Sequence, residues 1–257
     1  MVELTVNGKT IPVPEDATLL QAVRAAGFDL PTLCHHEGLE PFGACRLCMV
    51  SIVEPRQEIV AACAYPVEAG LVVETETAAA VAARRLALEF LLARCPQAQA
   101  IQEMALQAGL STSRFEPFRA GPEDELCMLC GLCVRVCREA IGAAAISFVG
   151  RGADRHVAAP FKVQAEACIG CGACAEICPT GAIQMEDRGS QRILHTWNTT
   201  IELQRCPECG GFFAPVKQDF LKELFPEIQD LWPLCPKCRS RHTGQQWAEH
   251  VGKGQLP

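Results

Sequence analysis

Tyrosine, long apolar runs and blocks of basic residues are scarce in this sequence. The chain has 257 residues and a single Tyr. No stretch approaches the roughly 18 uninterrupted apolar residues of a membrane span, and no basic segment followed by an apolar run opens the chain. We therefore expect neither a membrane helix nor a signal peptide, and the sequence predicts a cytoplasmic protein.

Positive charge is also too sparse for a protein that binds nucleic acid. The formal net charge is −7, and residues 1–189 hold 15 Lys and Arg against 23 Asp and Glu, a balance of −8. Proteins that bind DNA or RNA need a basic surface to neutralise phosphates. Nucleic acid is therefore excluded as an expected partner.

Cysteine, in contrast, is abundant, with 17 residues in the chain. In a reducing compartment, cysteines in C-x-x-C groups indicate metal ligands rather than disulfides, and their odd number argues against complete pairing. The sequence has no G-x-G-x-x-G after a predicted strand and no P-loop. We therefore expect metal centres and no substrate-converting site in this chain.

Residues 1–76 predict a small β-grasp domain. The stretches VELTV and TIPV are strand-like and flank Asn7-Gly8, a dipeptide suited to a tight hairpin turn. A helix is predicted over residues 18–26, ending at Gly27. The strand-like segments MVSIV and LVVET complete the pattern.

Three further segments follow the β-grasp domain, so the predicted class is α+β. Residues 77–122 predict a helical connector, with one helix near residues 75–94 capped by Thr77 and a second over residues 98–108. Residues 123–192 contain two copies of C-x-x-C-G-x-C-x-x-x-C, which predict a ferredoxin-like domain with two [4Fe–4S] clusters. Residues 200–257 predict a small domain of zinc-ribbon or rubredoxin type, with the helical stretch QDFLKELF between two C-P-x-C knuckles.

The first cysteine set predicts a [2Fe–2S] centre, because thiolates suit iron–sulfur clusters. Its members are Cys34, Cys45, Cys48 and Cys63. We expect the C-x-x-C pair to chelate one iron and the two separated cysteines to hold the other. A Rieske centre would need a second C-x-x-H, so His35 and His36 are expected to be exposed or to neighbour the ligands. A structural zinc is the alternative. Gly43 and Ala44 would let the backbone fold closely around the cluster, with amides donating to sulfur.

The second and third sets have the spacing of bacterial two-cluster ferredoxins, in which the remote cysteine of each motif crosses to the other cluster. One cluster is therefore assigned to Cys127, Cys130, Cys133 and Cys178. The other is assigned to Cys168, Cys171, Cys174 and Cys137. Pro179 follows the last cysteine as the motif expects, whereas Arg138 replaces proline in the first copy, which we expect to alter the local turn or the potential.

The fourth set predicts a tetrahedral site of four thiolates. Its members are Cys206, Cys209, Cys235 and Cys238. We favour structural zinc, because the second knuckle lacks the glycine usual after rubredoxin knuckles. A single iron is the alternative, and a further [4Fe–4S] cluster fits the uneven spacing least well. Cys95 stands alone and predicts a small buried hydrophobic residue.

These motifs resemble the amino-terminal part of the large iron–sulfur subunit of respiratory complex I and the diaphorase small subunit of NAD-reducing hydrogenases. The resemblance rests on LCHHEGLEPFGACRLCMV, on LEFLLARCP, and on CMLCGLCVRVCREAIG with CIGCGACAEICPTGAI, and it covers residues 1 to about 190. The family often carries another cubane in the connector, on an H-x-x-x-C-x-x-C-x-x-x-x-x-C pattern. Only Cys95 remains of that pattern, so we expect this cluster to be absent and the electron path to take another route.

The resemblance implies an electron-transfer subunit within a hetero-oligomer. The expected partners are a flavin subunit that binds NAD(H) and a catalytic subunit of the hydrogenase or formate dehydrogenase type, and such assemblies include electron-bifurcating enzymes. The chain itself would only relay single electrons. A freestanding iron–sulfur redox sensor or regulator is the alternative, and salt-sensitive DNA binding would favour it.

Overall fold

The computed structural model describes residues 1–117, 126–213 and 233–252. The chain forms two compact units by its internal contacts. Unit 1 comprises Met1–Ala158 and Ala173–Ile183, and unit 2 comprises Ala159–Gly172 and Gln184–Pro257. Among the described residues, no helix is long and apolar enough to cross a membrane.

Unit 1 contains most of the regular structure of the chain. Its strands are β1 (Val2–Val6), β2 (Lys9–Val13), β3 (Met49–Glu54), β4 (Glu58–Ala61), β5 (Val72–Glu74), β6 (Ser147–Val149) and β7 (His156–Ala158). Its helices are α1 (Leu19–Ala25), α2 (Ala78–Arg94), α3 (Gln99–Gln107), α4 (Leu132–Arg135) and α5 (Ala173–Glu176).

The described residues of unit 2 form short strands and one long helix. Its elements are β8 (Met185–Arg188), β9 (Gln191–Leu194), β10 (Thr199–Glu202), β11 (Gln204–Arg205), β12 (Phe212–Phe213) and α6 (Pro236–Gly252). The predicted helix QDFLKELF lies outside the described residues.

The first five strands form one sheet in the order β2-β1-β5-β3-β4. Strands β1 and β5 are parallel, and the other neighbours are antiparallel. Asn7 and Gly8 form the predicted turn between β1 and β2, with φ of 48° and 78°. The sequence analysis missed β4, because a short strand with charged and apolar residues in no clear alternation carries little signal.

Helix α1 packs its apolar face on this sheet. Thr18 caps it in a capping box with Gln21, which satisfies amide groups at the helix start. Leu19, Leu20 and Val23 are fully buried in the core against the strands. Burial of each such side chain contributes about 1.5–3 kcal/mol, so the sheet and α1 form a stable base for the loops that carry the first cysteines.

The connector helices confirm the predicted pattern. Thr77 caps α2 through a hydrogen bond from the Ala80 amide. Helices α2 and α3 bury Leu88, Leu91 and Ile101 in a second core that also contains cysteines of unit 1. The connector therefore packs directly beside the candidate sites.

Candidate metal-binding sites

All four cysteines of the first set are buried. Cys34 and Cys45 lie in the long loop between α1 and β3, Cys48 immediately precedes β3, and Cys63 lies just after β4. The loop makes its sharpest turns at Gly43 and Arg46, with φ of 66° and 56°. The sheet thus brings together cysteines from two separate stretches of chain.

Hydrogen bonds in this set join Cys34 to Cys45 and Cys48 to Cys63. The amide of Cys45 donates to Cys34 Sγ over 3.4 Å, and that of Cys63 to Cys48 Sγ over 3.5 Å. The thiol of Cys63 also bonds with Cys34. Each cysteine of the C-x-x-C pair thus contacts a cysteine from another part of the chain, and the division of the four ligands between two irons stays a prediction.

Hydrogen bonding sets the protonation of these thiols. Bonds from the thiols of Cys45 and Cys63 hold the pKa of Cys34 far below its usual range, and the amides of Cys45 and Ala44 add to this effect. The bond to Cys34, with burial, raises the pKa of Cys45. The crowded sulfurs therefore share protons through hydrogen bonds. A soft metal centre bound to the same sulfurs would take the place of these protons.

The two histidines beside Cys34 occupy the predicted kinds of position. His36 is exposed, and its Nδ1 accepts a hydrogen bond from the Gly38 amide over 3.1 Å. His35 is half-buried, and burial lowers its pKa. Gly43 has a φ of 66°, in the left-handed region that favours glycine, and a Cβ there would make only ordinary contact with Ala64.

Unit 1 also holds all four cysteines assigned to the first [4Fe–4S] cluster. They are Cys127, Cys130, Cys133 and Cys178. Burial raises the pKa of Cys130 to about 11, with further contributions from the charges of Cys178 and Cys127. Burial also raises the pKa of Cys133, and the same neighbours act on it. Cys178 therefore lies near the first motif, as does Cys174, and the crossed ligand assignment stays a prediction.

The two copies of the motif have positive φ angles at the same two positions. Leu129 and Gly170 occupy equivalent positions with φ of 56° and 66°. Gly131 and Gly172 are likewise equivalent, with φ of 74° and 78°. A leucine in the left-handed region costs roughly 1–2 kcal/mol, so the first copy tolerates local strain to keep the loop shape of the second.

The cysteines assigned to the second [4Fe–4S] cluster belong to different units. Cys137 and Cys174 lie in unit 1, whereas Cys168 and Cys171 lie in unit 2. Within unit 1, the Ala145 amide donates to Cys137 Sγ over 3.3 Å. This ligand set remains a prediction.

The sheet of unit 2 holds the loop with Cys168 and Cys171. Arg192 on β9 donates to the Gly170 carbonyl over 2.7 Å and pairs with Asp187 on β8. A Cβ at Gly170 would meet Ile201, and one at Gly172 would lie 2.9 Å from the Met185 side chain. Two glycines thus let the loop lie against the sheet.

The fourth set converges within unit 2. The sulfurs of Cys206, Cys209, Cys235 and Cys238 all lie within 4.8 Å of one another. The Cys235 amide donates to Cys206 Sγ and so joins the two knuckles. The Gly210 amide donates to the Cys206 carbonyl and closes the first knuckle. The described part of the chain contains no other group of three or more His, Cys, Asp or Glu ligand atoms this close together.

Models of known protein families match the region of the [2Fe–2S] site and the region of the [4Fe–4S] sites. A model described as a 2Fe-2S iron-sulfur cluster binding domain matches residues 1–78. Two models, each described as a 4Fe-4S dicluster domain, match residues 120–185 and 167–211. The chain therefore contains a 2Fe–2S domain and 4Fe–4S ferredoxin-like domains in a mixed α+β architecture.

Individual relatives extend this match. The chain is 31% identical over 233 residues to a subunit of NADH-quinone oxidoreductase from Rhizobium meliloti (strain 1021), covering 82% of this chain and 27% of the relative. It is 31% identical over 211 residues to the HndD subunit of an NADP-reducing hydrogenase from Solidesulfovibrio fructosivorans, covering 71% of this chain and 36% of the relative. The chain thus spans about a third or less of these curated relatives.

A solved structure of an NAD+-reducing [NiFe]-hydrogenase in the H2-reduced state contains a similar chain. It shows 32% identity and a TM-score of 0.55, covering 62% of this chain and 75% of that chain. This chain belongs to the iron–sulfur subunit family of NADH-quinone oxidoreductases and NAD+-reducing hydrogenases. The resemblance drawn from the motifs is confirmed.

Cys95, which stands alone in the sequence, is a small buried residue. It is fully buried, its thiol donates to the Leu91 carbonyl over 3.1 Å, and burial raises its pKa to about 12. It packs with Met128 and Cys130 in the second core. Cys95 therefore packs as the small buried side chain that its lone position predicts, and the absence of a connector cluster stays a prediction.

Replacing Cys95 by alanine should leave the iron content unchanged. The change removes one weak donor and a small buried volume, so we expect a loss of about 1 kcal/mol in the free energy of unfolding. Iron analysis and thermal unfolding of the purified protein test this. A loss of about four irons would instead place Cys95 in a cluster.

Arg135 is a site residue that the sequence analysis missed. It lies between Cys133 and Cys137, is 4% exposed, and donates through Nη2 to the Cys34 carbonyl over 2.7 Å. An arginine inside a cluster motif, in CVRVC, was the only available signal. Its partner lies a hundred residues away, so the spacing could not reveal the contact.

Proposed function

We propose that this chain is the electron-transfer subunit of a cytoplasmic oxidoreductase complex. In this proposal it relays single electrons between an NAD(H)-linked flavoprotein subunit and a second redox subunit, such as a hydrogenase or formate dehydrogenase. The named relatives are subunits of NADH-quinone oxidoreductase and NADP-reducing hydrogenase. The partner subunits determine the terminal substrate and whether the complex bifurcates electrons.

The observation that carries the proposal is a packed core shared by two sites. Cys34 and Cys45 of the first set lie in the same buried cluster as Cys130 of the second set. The charge of Cys34 also raises the pKa of Cys130. Since no connector cluster is expected, we take this shared core as the proposed path between the [2Fe–2S] site and the first cubane site.

The proposed ligands follow the contacts in unit 1. One iron of the [2Fe–2S] centre would bind Cys34 and Cys45, and the other Cys48 and Cys63, because these pairs are already joined by hydrogen bonds. When bound, each iron–sulfur cluster accepts and releases one electron at a time. The residues of the chain hold it, exclude water around it and donate amide hydrogen bonds to its sulfurs.

The two cubane ligand sets are proposed on different grounds. For Cys127, Cys130, Cys133 and Cys178, mutual charge effects within unit 1 support the assignment. For Cys168, Cys171, Cys174 and Cys137, the spacing and the dicluster match over residues 120–185 support it.

The fourth set is proposed to bind one zinc ion in a small knuckle domain. Four thiolates around a single ion at about 2.3 Å lie roughly 4 Å apart. In a [4Fe–4S] cluster each thiolate binds a different iron, so the sulfurs lie farther apart. The observed limit of 4.8 Å therefore favours one ion, even though a dicluster match extends over Cys206 and Cys209. A single iron is the alternative that metal analysis decides.

A cleft of about 270 Å³ marks where a redox partner would approach the first two sites. It adjoins both the loop before Cys45 and the loop between Cys127 and Cys130. It is lined by Phe42, Gly43, Ala44, Arg46, Leu129 and Arg155. A partner that exchanges electrons with the [2Fe–2S] centre would reach it with little protein in between.

Anaerobic purification of the chain tests the proposal. Metal analysis should give about ten irons and about one zinc per chain, and electron paramagnetic resonance on stepwise reduction should show one binuclear and two cubane signals. The isolated chain should oxidise no NADH until a flavin subunit is added. An iron-free protein that still supports its complex, or NADH oxidation by the chain alone, contradicts the proposal.

A further inference from the structure

We infer that Arg135 is a positioning residue that fixes the loop of the [2Fe–2S] site to the cubane helix and raises the reduction potential of the [2Fe–2S] centre. The inference rests on the proposed function, because it takes Cys34 as a ligand of that centre. It concerns a side chain that binds no iron itself.

The guanidinium of Arg135 ties two distant segments together. Its Nη2 donates to the Cys34 carbonyl, and its Nη1 donates to the Glu40 carbonyl over 2.5 Å. Both acceptors lie in the loop after α1, whereas Arg135 itself ends α4, two residues after Cys133. One planar, forked side chain therefore sets the position of the first cysteine loop relative to the helix with the cubane cysteines.

The surroundings of Arg135 exclude water from this contact. The side chain lies 5.2 Å from the ring centroid of Phe42, which stacks on Phe148 at 6.2 Å. Both rings also cover Gly131, where a Cβ would come within 3.1 Å of Phe148 and 3.2 Å of Phe42. The missing side chain at Gly131 thus lets the aromatic pair cover the first turn of α4.

The charge on Arg135 has no direct ion pair with a described carboxylate. Among the described residues, no Asp or Glu oxygen lies within 4.0 Å of it, and its buried Nε has no hydrogen-bond partner. Glu139, four residues on, is ion-paired with Arg138 and accepts the Glu40 amide. Glu139 compensates the charge of Arg135 in part. A buried cation without a direct ion pair is costly, so a negative centre held by Cys34 would add to this compensation.

This arrangement determines the direction of the effect on the potential. Reduction adds an electron to a centre that is already negative, and a nearby buried cation stabilises the reduced form. Burial keeps water and salt from screening the interaction. Removing the charge should therefore make the [2Fe–2S] centre harder to reduce.

The test is potentiometry followed by electron paramagnetic resonance on the anaerobically purified full chain. Arg135→Gln should increase the oxidised-to-reduced ratio of the [2Fe–2S] centre about tenfold at a fixed potential, a shift of about 59 mV to lower potential. Arg135→Lys keeps the charge, so it should restore most of this shift. Arg151→Gln, which removes an exposed cation of the same unit between β6 and β7, is the matched control and should change the ratio little.

Loop positioning has a separate readout. Hydrogen exchange of residues 35–44 should become faster in both Arg135 variants, because neither side chain reaches the two carbonyls as arginine does. Unchanged exchange together with an unchanged potential in Arg135→Gln would overturn the inference. An equal shift in the Gln and Lys variants, or loss of the [2Fe–2S] signal in both, would also overturn it, because the residue would then act only through structure. A wild-type chain without a [2Fe–2S] signal would instead contradict the proposed function.

Discussion

Replacing Cys178 by alanine is expected to remove the first [4Fe–4S] cluster and to lower the iron content from about ten to about six per chain. The reason is the crossed arrangement of the two motifs. Cys178 belongs to the second motif by sequence, yet its charge acts on Cys130 and Cys133 of the first. Its loss would leave three thiolates and an open iron in a buried site.

Two further variants serve as references for this experiment. Cys130→Ala removes a first-motif ligand, and Cys171→Ala removes a second-motif ligand. The remaining spectrum of Cys178→Ala should match that of Cys130→Ala, because both lack the same cluster. A match with Cys171→Ala would show that each motif binds its own cluster and would refute the crossed assignment.

Replacing Cys238 by alanine is expected to remove the ion from unit 2 and unfold the region around the two knuckles. Structural zinc contributes an apparent 10–16 kcal/mol or so in small zinc-binding peptides, far more than the apolar contacts of such a short segment. The local core contains, besides Cys206, Cys235 and Cys238, only Phe213 and Leu234 among the described residues. Zinc content should fall from about one to zero, and trypsin should cleave rapidly after the exposed Lys237.

The iron content distinguishes a local effect from a general one. It should stay near ten in Cys238→Ala, because the cluster ligands lie outside the knuckles. Ser240→Ala, an exposed change on α6, should leave the zinc and the proteolysis pattern as they are. Retention of zinc in Cys238→Ala, or loss of most of the iron, would contradict the proposed ligand set.

Local signals in the sequence were sufficient for much of the architecture. Asn7-Gly8 predicted the first hairpin because few dipeptides tolerate two positive φ angles, and Thr77 predicted the start of α2 because a hydroxyl caps free amides. The cysteine spacings predicted the kinds of cluster domain, because a loop that chelates a cluster must have a fixed length.

Features that depend on distant contacts were not predictable in this way. The hydrogen bonds from the Cys45 amide to Cys34 and from the Cys63 amide to Cys48 join separate parts of the chain, and the positive φ of Arg46 has no signal in its residue type. Arg135 meets the Cys34 carbonyl only because the connector core brings the two loops together. Spacing carries no information about either contact.

The order of strands in the first sheet also has a consequence for biosynthesis. Strand β5 lies at the centre of the sheet, between β1 and β3, and it is the last of the five strands to leave the ribosome. All four cysteines of the first set lie between β1 and β5 along the chain. The scaffold around them is therefore complete only after β5 has emerged, so stable iron loading of this site follows translation of the whole amino-terminal domain.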